Sequence, residues 1–164
     1  MKINGRSMGD QPNEVPVVLP RPEVFNEEIE DWENGDLSFI CKAVTSFDQL
    51  AELLPEPQPP VAIGKGNEKV YNKKDPGYKA QMHQYNLKQL AYIVIESLRD
   101  ADLEWDTVEL ENPQTWLNYV NDFKSAGLNM IEINKICQGC MEANALDEEK
   151  LDKARKLFQR GRVG

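Results

Sequence analysis

The sequence predicts a mainly α fold, in which a compact helical bundle over about residues 75–161 follows a small α/β arm with a short antiparallel β element. Two observations lead to this prediction. After residue 75, four segments carry apolar residues at the three- and four-residue spacing of helices, and each begins at a capping residue. Before residue 60, short apolar runs are separated by prolines and turn residues, which is typical of short strands and connectors.

By composition the chain divides into four parts. We expect a flexible N-terminal arm over 1–14, a small acidic β/α segment over 15–60 with a Pro-rich connector at 55–60, a loop over 61–74, and the bundle over 75–161. Within the second part, alternation over 37–44 predicts a strand that pairs with the segment at Val15 or at Val24. Ser46 then caps a short helix, which Pro55 ends. The apolar face of that helix is Phe47, Leu50, Leu53 and Leu54.

Four helices are expected in the bundle. Their N-terminal caps are Asp75, Asn112, Asn129 and Asp147. The first helix ends near Arg99, the second at Gly127, and the last just before Gly161. The first helix has an apolar face of Leu87, Leu90, Ala91, Val94 and Leu98, and the last turns Leu151, Ala154, Leu157 and Phe158 inward. Because the first helix is apolar on nearly every side in its second half, we expect it at the centre of the bundle.

Charge and composition exclude several classes of protein. The 164 residues carry a net charge of −9, and residues 1–60 hold 12 acidic against 4 basic side chains. Nucleic acids and anionic membranes bind proteins through basic surfaces, which an acidic chain lacks. We therefore expect neither as a partner. No apolar run approaches the ~20 residues that span a bilayer, and the N-terminus lacks the apolar stretch of a signal peptide. Three cysteines suit a reducing compartment.

No catalytic, cofactor or metal site is predicted. Cys137 and Cys140 form a C-x-x-C pair, but they lie deep in a predicted helix on its apolar stripe, which favours core cysteines over redox or zinc chemistry. His83 is the single histidine and has no nucleophile motif beside it. The acidic cluster at 27–33 lacks the spacing of a calcium loop, and the glycines at 64 and 66 lack that of a phosphate loop. Trp116 is expected in the core.

The order of features along the chain resembles a family of bacteriophage tail assembly chaperones. The resemblance covers roughly residues 24–161 and rests on the segments at 39–48, 55–60, 75–78, 97–98, 104–108, 113–116, 126–127, 132, 143–147 and 154–158. It implies a non-catalytic protein of the host cytoplasm, absent from the mature virion, that keeps the tape measure protein soluble during tail assembly. The tail tube protein is a further candidate partner, and the resemblance leaves the oligomeric state open.

Two other functions remain open from the residues alone. One is a structural virion component, such as a tail-completion or head–tail connector protein, and the other is a small regulatory adaptor acting on host machinery. If the chain is a chaperone, a groove between helices suits the apolar stripe of a helical partner. We expect Tyr119 and Phe123 to be partner-binding anchors, because Trp116, Leu117 and Val120 already supply a core face to their helix. The alternative is that both aromatic residues belong to the core.

Overall fold

The computed structural model describes residues 2–4, 13–146 and 148–163, and within them we number strands and α-helices in chain order. The strands are β1 (Glu14–Leu19), β2 (Val24–Asn26), β3 (Asp31–Glu33), β4 (Leu37–Lys42), β5 (Val61–Ile63) and β6 (Lys69–Tyr71). The α-helices are α1 (Asp48–Leu53), α2 (Pro76–Ser97), α3 (Tyr119–Ser125), α4 (Met130–Ala143) and α5 (Glu148–Val163). Short 3-10 helices cover Lys65–Asn67 and Pro113–Asn118. The fold is therefore a mixture of helices and antiparallel strands.

The prediction of a mainly α fold built on a compact helical bundle is wrong. Within the described residues the six strands pair as three two-stranded sheets, β1 with β4, β2 with β3 and β5 with β6. The helix α4 packs against the sheet of β1 and β4, taken as a whole, more extensively than against α2 or α3. An apolar stripe on a helix must be buried, but it does not specify whether a helix or a sheet covers it.

The sheet of β1 and β4 forms one wall of the core. The two strands are antiparallel, with Val17 opposite Phe39 and Leu19 opposite Leu37. Of the two predicted partners, the segments at Val15 and at Val24, the structure shows the first. Alternation places Val17, Leu19 and Phe39 on the face that α4 covers, where each is at most 9% exposed. Val18 points to the other face and is 56% exposed. The strand period thus set the buried face of this sheet.

The core consists of two clusters on either side of the second half of α2. The first cluster contains Val17, Leu19, Phe39, Cys41, Val94, Leu98, Phe123, Leu128, Ile133, Ile136, Cys140 and Ala143. The second contains Leu50, Ala91, Tyr92, Ile95, Val108 and Trp116. Because both clusters draw on α2, residues 91–95 are buried on every side. This confirms the predicted burial of the second half of that helix, although the expected helical bundle around it is wrong.

The first half of α2 lies outside the core. Its N-cap is confirmed, because the Asp75 carboxylate accepts a hydrogen bond of 2.9 Å from the Tyr78 amide. Leu87 and Leu90 are 37% and 46% exposed, so the prediction that they face a bundle core is wrong. The Pro-rich segment and this half of α2 together line a shallow groove, which includes Pro55. No second helix is available there to cover the apolar stripe in the described part of the chain.

The two predicted helices that follow α2 are correct in position and partly wrong in form. The chain after Asn112 begins as a 3-10 helix and becomes α-helical only at α3. Gly127 ends α3 with φ +96°, a left-handed conformation that glycine adopts without steric cost, as the sequence predicted. The capping box of Asn129 and Glu132 at the start of α4 is also confirmed, with both reciprocal hydrogen bonds present.

The predicted loop over 61–74 is instead a hairpin, because β5 and β6 pair across it. Gly66 and Asn67, with φ +79° and +62°, form its turn. The amide of Gly64 donates a hydrogen bond of 2.8 Å to the Glu68 carbonyl, which closes the turn. Strands of three residues are too short to give an alternating pattern that distinguishes them from a loop.

Some predictions for the two ends of the chain concern residues outside those that the structure describes. Most of the expected flexible arm lies outside them, although its last residue, Glu14, begins β1. Asp147 and the side chains of Leu151, Ala154 and Phe158 also lie outside them. The helix α5 continues through Gly161 to Val163, so its predicted end is wrong; one glycine lowers helix stability by only ~1 kcal/mol. Leu157 is 66% exposed rather than inward, since no described element covers it.

Candidate partner-binding groove

The two aromatic residues expected to anchor a partner lie in or against the core. Phe123 is only 5% exposed, and its ring centroid is 5.1 Å from that of Trp105. Tyr119 is half-buried, with its ring edge-on to Phe123 at 6.5 Å, and burial raises the pKa of its hydroxyl to about 12. The expectation that the pair forms an exposed anchor is therefore wrong for Phe123, and we place the candidate surface elsewhere. The face they occupy is covered because α3 packs between the two clusters.

The C-x-x-C pair is part of the packing between α4 and the sheet. Cys140 is fully buried, its sulfur 3.6 Å from that of Cys41 on β4. Its hydrogen bond to Cys41 and burial both raise the pKa of the Cys140 thiol, so it remains protonated. Between the two cysteines, a Cβ on Gly139 would overlap the Val17 side chain. Because Gly139 has no side chain, the backbone of α4 can lie close to β1. The C-x-x-C segment therefore has a packing role.

The other candidate residues are dispersed. His83 is exposed on the first half of α2, and the glycines at 64 and 66 belong to the turn between β5 and β6. The acidic cluster at 27–33 forms the turn and second strand of the β2–β3 hairpin. Among the residues that the structure describes, no group of three or more His, Cys, Asp or Glu side chains is placed to hold a metal ion. Trp116 is fully buried and donates a hydrogen bond of 3.0 Å to the Leu110 carbonyl, which confirms its core position.

An apolar groove of about 550 Å³ lies where the ends of β4 and α4 meet the second half of α2. The apolar residues that line it are Ala43, Val44, Phe47, Ile93, Ala143, Ala145 and Leu146. Phe47 and Leu146 are each 46% exposed, so they present apolar surface to solvent. The polar lining comprises the amide side chains of Asn13, Gln89 and Asn144, and none of the described residues that line the groove is ionisable.

Asn144, the C-cap residue of α4, links the walls of the groove through its side-chain hydrogen bonds. Its side-chain oxygen accepts a hydrogen bond of 2.8 Å from the Val44 amide, just beyond β4. Its side-chain nitrogen donates to the hydroxyl of Ser97 at the end of α2, also at 2.8 Å. Arg99 adds a third tie by donating to the Ala43 carbonyl at 3.1 Å. One amide side chain therefore links the three elements that form the groove.

The position of Leu146 follows from the way α4 ends. The Leu146 amide donates to the Met141 carbonyl at 2.8 Å, and the Ala145 amide donates to Glu142 at 3.1 Å. These two bonds are the Schellman pattern, in which the residue after the C-cap is left-handed. Ala145 takes that position with φ +56°, a conformation that costs an alanine more than a glycine. The cap directs the chain back along the helix and brings Leu146 into the groove lining.

Sequence reasoning missed this site. It placed Phe47 on the apolar face of the first short helix, but α1 begins one residue later and Phe47 lies before it. The N-cap residue is Phe47, without a side-chain cap hydrogen bond, so the prediction that Ser46 caps this helix is wrong. The Ser46 hydroxyl lies one residue earlier and accepts a hydrogen bond of 3.2 Å from the Asp48 amide. Leu146 follows a helix with no glycine at its C-cap, so no sequence signal marked the turn. A groove formed by residues ~100 positions apart leaves no local pattern.

The fold and the groove define a mixed α+β protein with an apolar groove whose described lining residues carry no charge. No helix among the residues that the structure describes has the length and apolar character needed to cross a membrane. No protein-family model, curated protein or solved structure matches this chain.

Proposed function

We propose that this chain is a non-catalytic phage tail assembly chaperone that binds the tape measure protein through the apolar groove. The proposal takes its biological context from the resemblance along residues 24–161. The observation that carries it is the composition of the groove, whose described lining residues are apolar side chains and neutral amides, with no ionisable group among them. General acid, general base and nucleophilic catalysis need titratable groups, whereas the binding of an apolar stripe does not.

The partner chemistry that suits the groove is one apolar face of an amphipathic helix. The volume of about 550 Å³ accommodates a few side chains rather than a whole domain. Phe47 and Leu146 are the large exposed apolar residues of the described lining, and a partner that covers them gains ~25 cal/mol for each Å² of apolar surface removed from water. A tape measure protein offers many such stripes along its length. Binding of several copies along one chain would therefore follow from a single kind of groove contact.

The uneven charge supports the solubility role. Residues 1–60 carry 12 acidic against 4 basic side chains, while the remaining residues are close to neutral. A high net charge of one sign produces repulsion between particles and keeps them apart in solution. Copies of this chain bound along the tape measure protein would cover its exposed apolar surface and present their own acidic surface to solvent. Solubility of the complex is then expected to fall as salt screens the charge.

The test is co-expression with the tape measure protein of the same phage. Wild-type chain should move the tape measure protein from the pellet to the soluble fraction and co-purify with it in several copies. The double variant Phe47→Ser/Leu146→Ser should reduce co-purification about tenfold or more, because truncated interface anchors typically cost more than ~1 kcal/mol each. The matched control is Val18→Ser, which removes a residue 56% exposed on the outer face of β1.

Each outcome has a distinct meaning. If wild-type chain leaves the tape measure protein in the pellet, the chaperone assignment fails. If the groove variant rescues solubility as well as wild type does, the groove assignment fails and the function stands. Thermal unfolding of all three proteins shows whether the serine variants keep the fold. Mass spectrometry of mature particles provides a second check, since a fixed copy number there would indicate a structural virion component instead.

A further inference from the structure

Two hairpins leave exposed apolar side chains on the surface outside the groove. The first consists of β2 and β3, and the second of β5 and β6; we call them the acidic hairpin (residues 23–36) and the basic hairpin (residues 61–74). In each, the two strands contact each other, and neither strand contacts another element extensively in the described residues. An isolated two-stranded hairpin is at best marginally stable in water, because only one side of its side chains finds partners. Both hairpins therefore present a surface that further packing would stabilise.

The acidic hairpin carries an exposed aromatic pair. Phe25 lies directly opposite Trp32, and their rings meet edge to face with centroids 5.5 Å apart. Even so, Phe25 is 47% exposed and Trp32 is 61% exposed. Seven carboxylates and no lysine or arginine occur in residues 23–36. Exposed large aromatic side chains with charged residues around them are more typical of an interaction site than of an ordinary protein surface.

The basic hairpin has the complementary character. Its strand register places Val61 opposite Tyr71 and Ile63 opposite Lys69, so these four residues share one face. Val61, Ile63 and Tyr71 are 51%, 78% and 52% exposed. Four lysines occur in residues 61–74 against one glutamate. The face is thus aliphatic and aromatic at its centre and positively charged around it.

We propose that the chain associates with itself head to tail, the acidic hairpin of one copy docking on the basic hairpin of a second copy. Both surfaces are exposed, both are apolar at the centre, and their charges are opposite, which favours the mutual pairing over pairing of like hairpins. The contact is heterologous, so an open assembly of any size keeps one free acidic hairpin at one end and one free basic hairpin at the other. Copies can therefore be added until a ring closes, or an open chain forms. Two three-residue-strand hairpins bury little area, so the contact is of the weak class.

This inference is independent of the groove and of the tape measure protein, and it is tested on the purified full chain. Sedimentation velocity at rising protein concentration should show a shift from the 18.7 kDa monomer towards dimers and larger species. Raising the salt from low to high concentration should reverse the shift, because exposed charges are screened within ~10 Å at 0.1 M salt and ~3 Å at 1 M. Trp32→Ser should weaken association about tenfold or more, whereas Val18→Ser should leave it unchanged.

Two charge-reversed variants give the sharpest test. In the first, Glu23, Glu27, Glu28 and Glu30 all become lysine, which leaves three carboxylates against four lysines in the acidic hairpin. In the second, Lys69→Glu and Lys73→Glu leave two lysines against three glutamates in the basic hairpin. The hydrogen bonds within the acidic hairpin run through Asn26, Asp31 and Glu33, which stay in place.

Each variant alone places like charges on both hairpins and should remain monomeric. Mixed in equal amounts they restore opposite charges at every junction, so the mixture should associate again. The inference is overturned if the wild type is monomeric at every concentration up to about 1 mM, the upper end of weak specific affinity. It is also overturned if association persists in the separate variants, or if the mixture stays monomeric. A monomeric wild type with a Trp32→Ser variant that loses the tape measure protein would assign the acidic hairpin to that partner instead.

Discussion

Removal of the Asp122 carboxylate should destabilise the chain more than any other single polar substitution in α3. Asp122 is 7% exposed, and one of its oxygens accepts hydrogen bonds from the amides of Asp106, Thr107 and Val108 at 3.0, 2.9 and 3.3 Å. The other oxygen accepts from the Thr107 hydroxyl at 2.6 Å. This one side chain therefore holds the irregular segment between α2 and the 3-10 helix at Pro113–Asn118 against α3.

The expected loss follows from these bonds. Asp122→Ala leaves three amides and a hydroxyl without their acceptor, of which the Val108 amide is buried. At ~1 kcal/mol for each bond, discounted for the amides that water can reach, the free energy of unfolding should fall by about 2–3 kcal/mol. Asp122→Asn should cost only about 1–2 kcal/mol, because its oxygen can still accept from the amides while its nitrogen faces a hydroxyl that can rotate.

The same carboxylate predicts a pH dependence. Burial raises the pKa of Asp122, but the hydrogen bonds from the Thr107 hydroxyl and the three amides outweigh it, and the net pKa lies below its ordinary value. A carboxyl with a lowered folded-state pKa stabilises the fold above its unfolded pKa of ~3.9 and loses that contribution as the pH falls through the folded value. The difference between wild type and Asp122→Asn should therefore shrink as the solution is acidified below about pH 4.

Urea unfolding followed by tryptophan fluorescence at pH 7 and at lower pH measures both effects. A loss below about 1 kcal/mol for Asp122→Ala would contradict the account, since it would mean that the segment at 106–108 finds other acceptors at little cost. So would a wild-type advantage over Asp122→Asn that grows as the pH falls. A matched control is Asp102→Ala, which removes an exposed carboxylate from the same connecting segment. Its effect should stay within about 0.5 kcal/mol.

Two further predictions concern α4. Ala145→Gly should raise the free energy of unfolding by up to about 1 kcal/mol, because glycine adopts the left-handed conformation at φ +56° without steric cost. The change is measured as a higher urea midpoint, and an unchanged or lower midpoint would contradict the assigned cap. Gly139→Ala should lower the free energy of unfolding by about 1–3 kcal/mol, because the added Cβ overlaps Val17. This loss should exceed the gain from the higher helix propensity of alanine. A stabilised variant would show that α4 and β1 can separate at no cost.

Local signals in the sequence determined much of the secondary structure. The cap at Asp75, the capping box at Asn129 and the left-handed glycine at 127 are each set by a few neighbouring residues, so they were predictable. The strand alternation of β4 was also predictable, because a half-buried strand repeats every two residues. Its partner was narrowed only to the segments at Val15 and Val24, and the structure shows the first of them. The apolar second half of α2 likewise indicated its burial.

The candidate sites depended on information that the sequence does not hold locally. The C-x-x-C pair carried no sign that Gly139 faces Val17, about 120 positions earlier in the chain. The prediction of Phe123 as an exposed anchor failed because it considered the core face of one helix only, whereas Phe123 belongs to one core cluster and the half-buried Tyr119 packs against both. Phe25 and Trp32 belong to strands of three residues, which are too short to give a period.

The sequence by itself determined where most helices begin, which residues in them are apolar and that the acidic charge lies in the first third of the chain. Only the tertiary structure decided what each apolar stripe packs against, and hence that α4 covers a sheet in addition to packing against α2. The physical reason is that burial of apolar surface is non-directional: it rewards removal from water without naming the partner. The surfaces left uncovered, the apolar groove and the two hairpins, are therefore visible only once every other stripe has been assigned its partner.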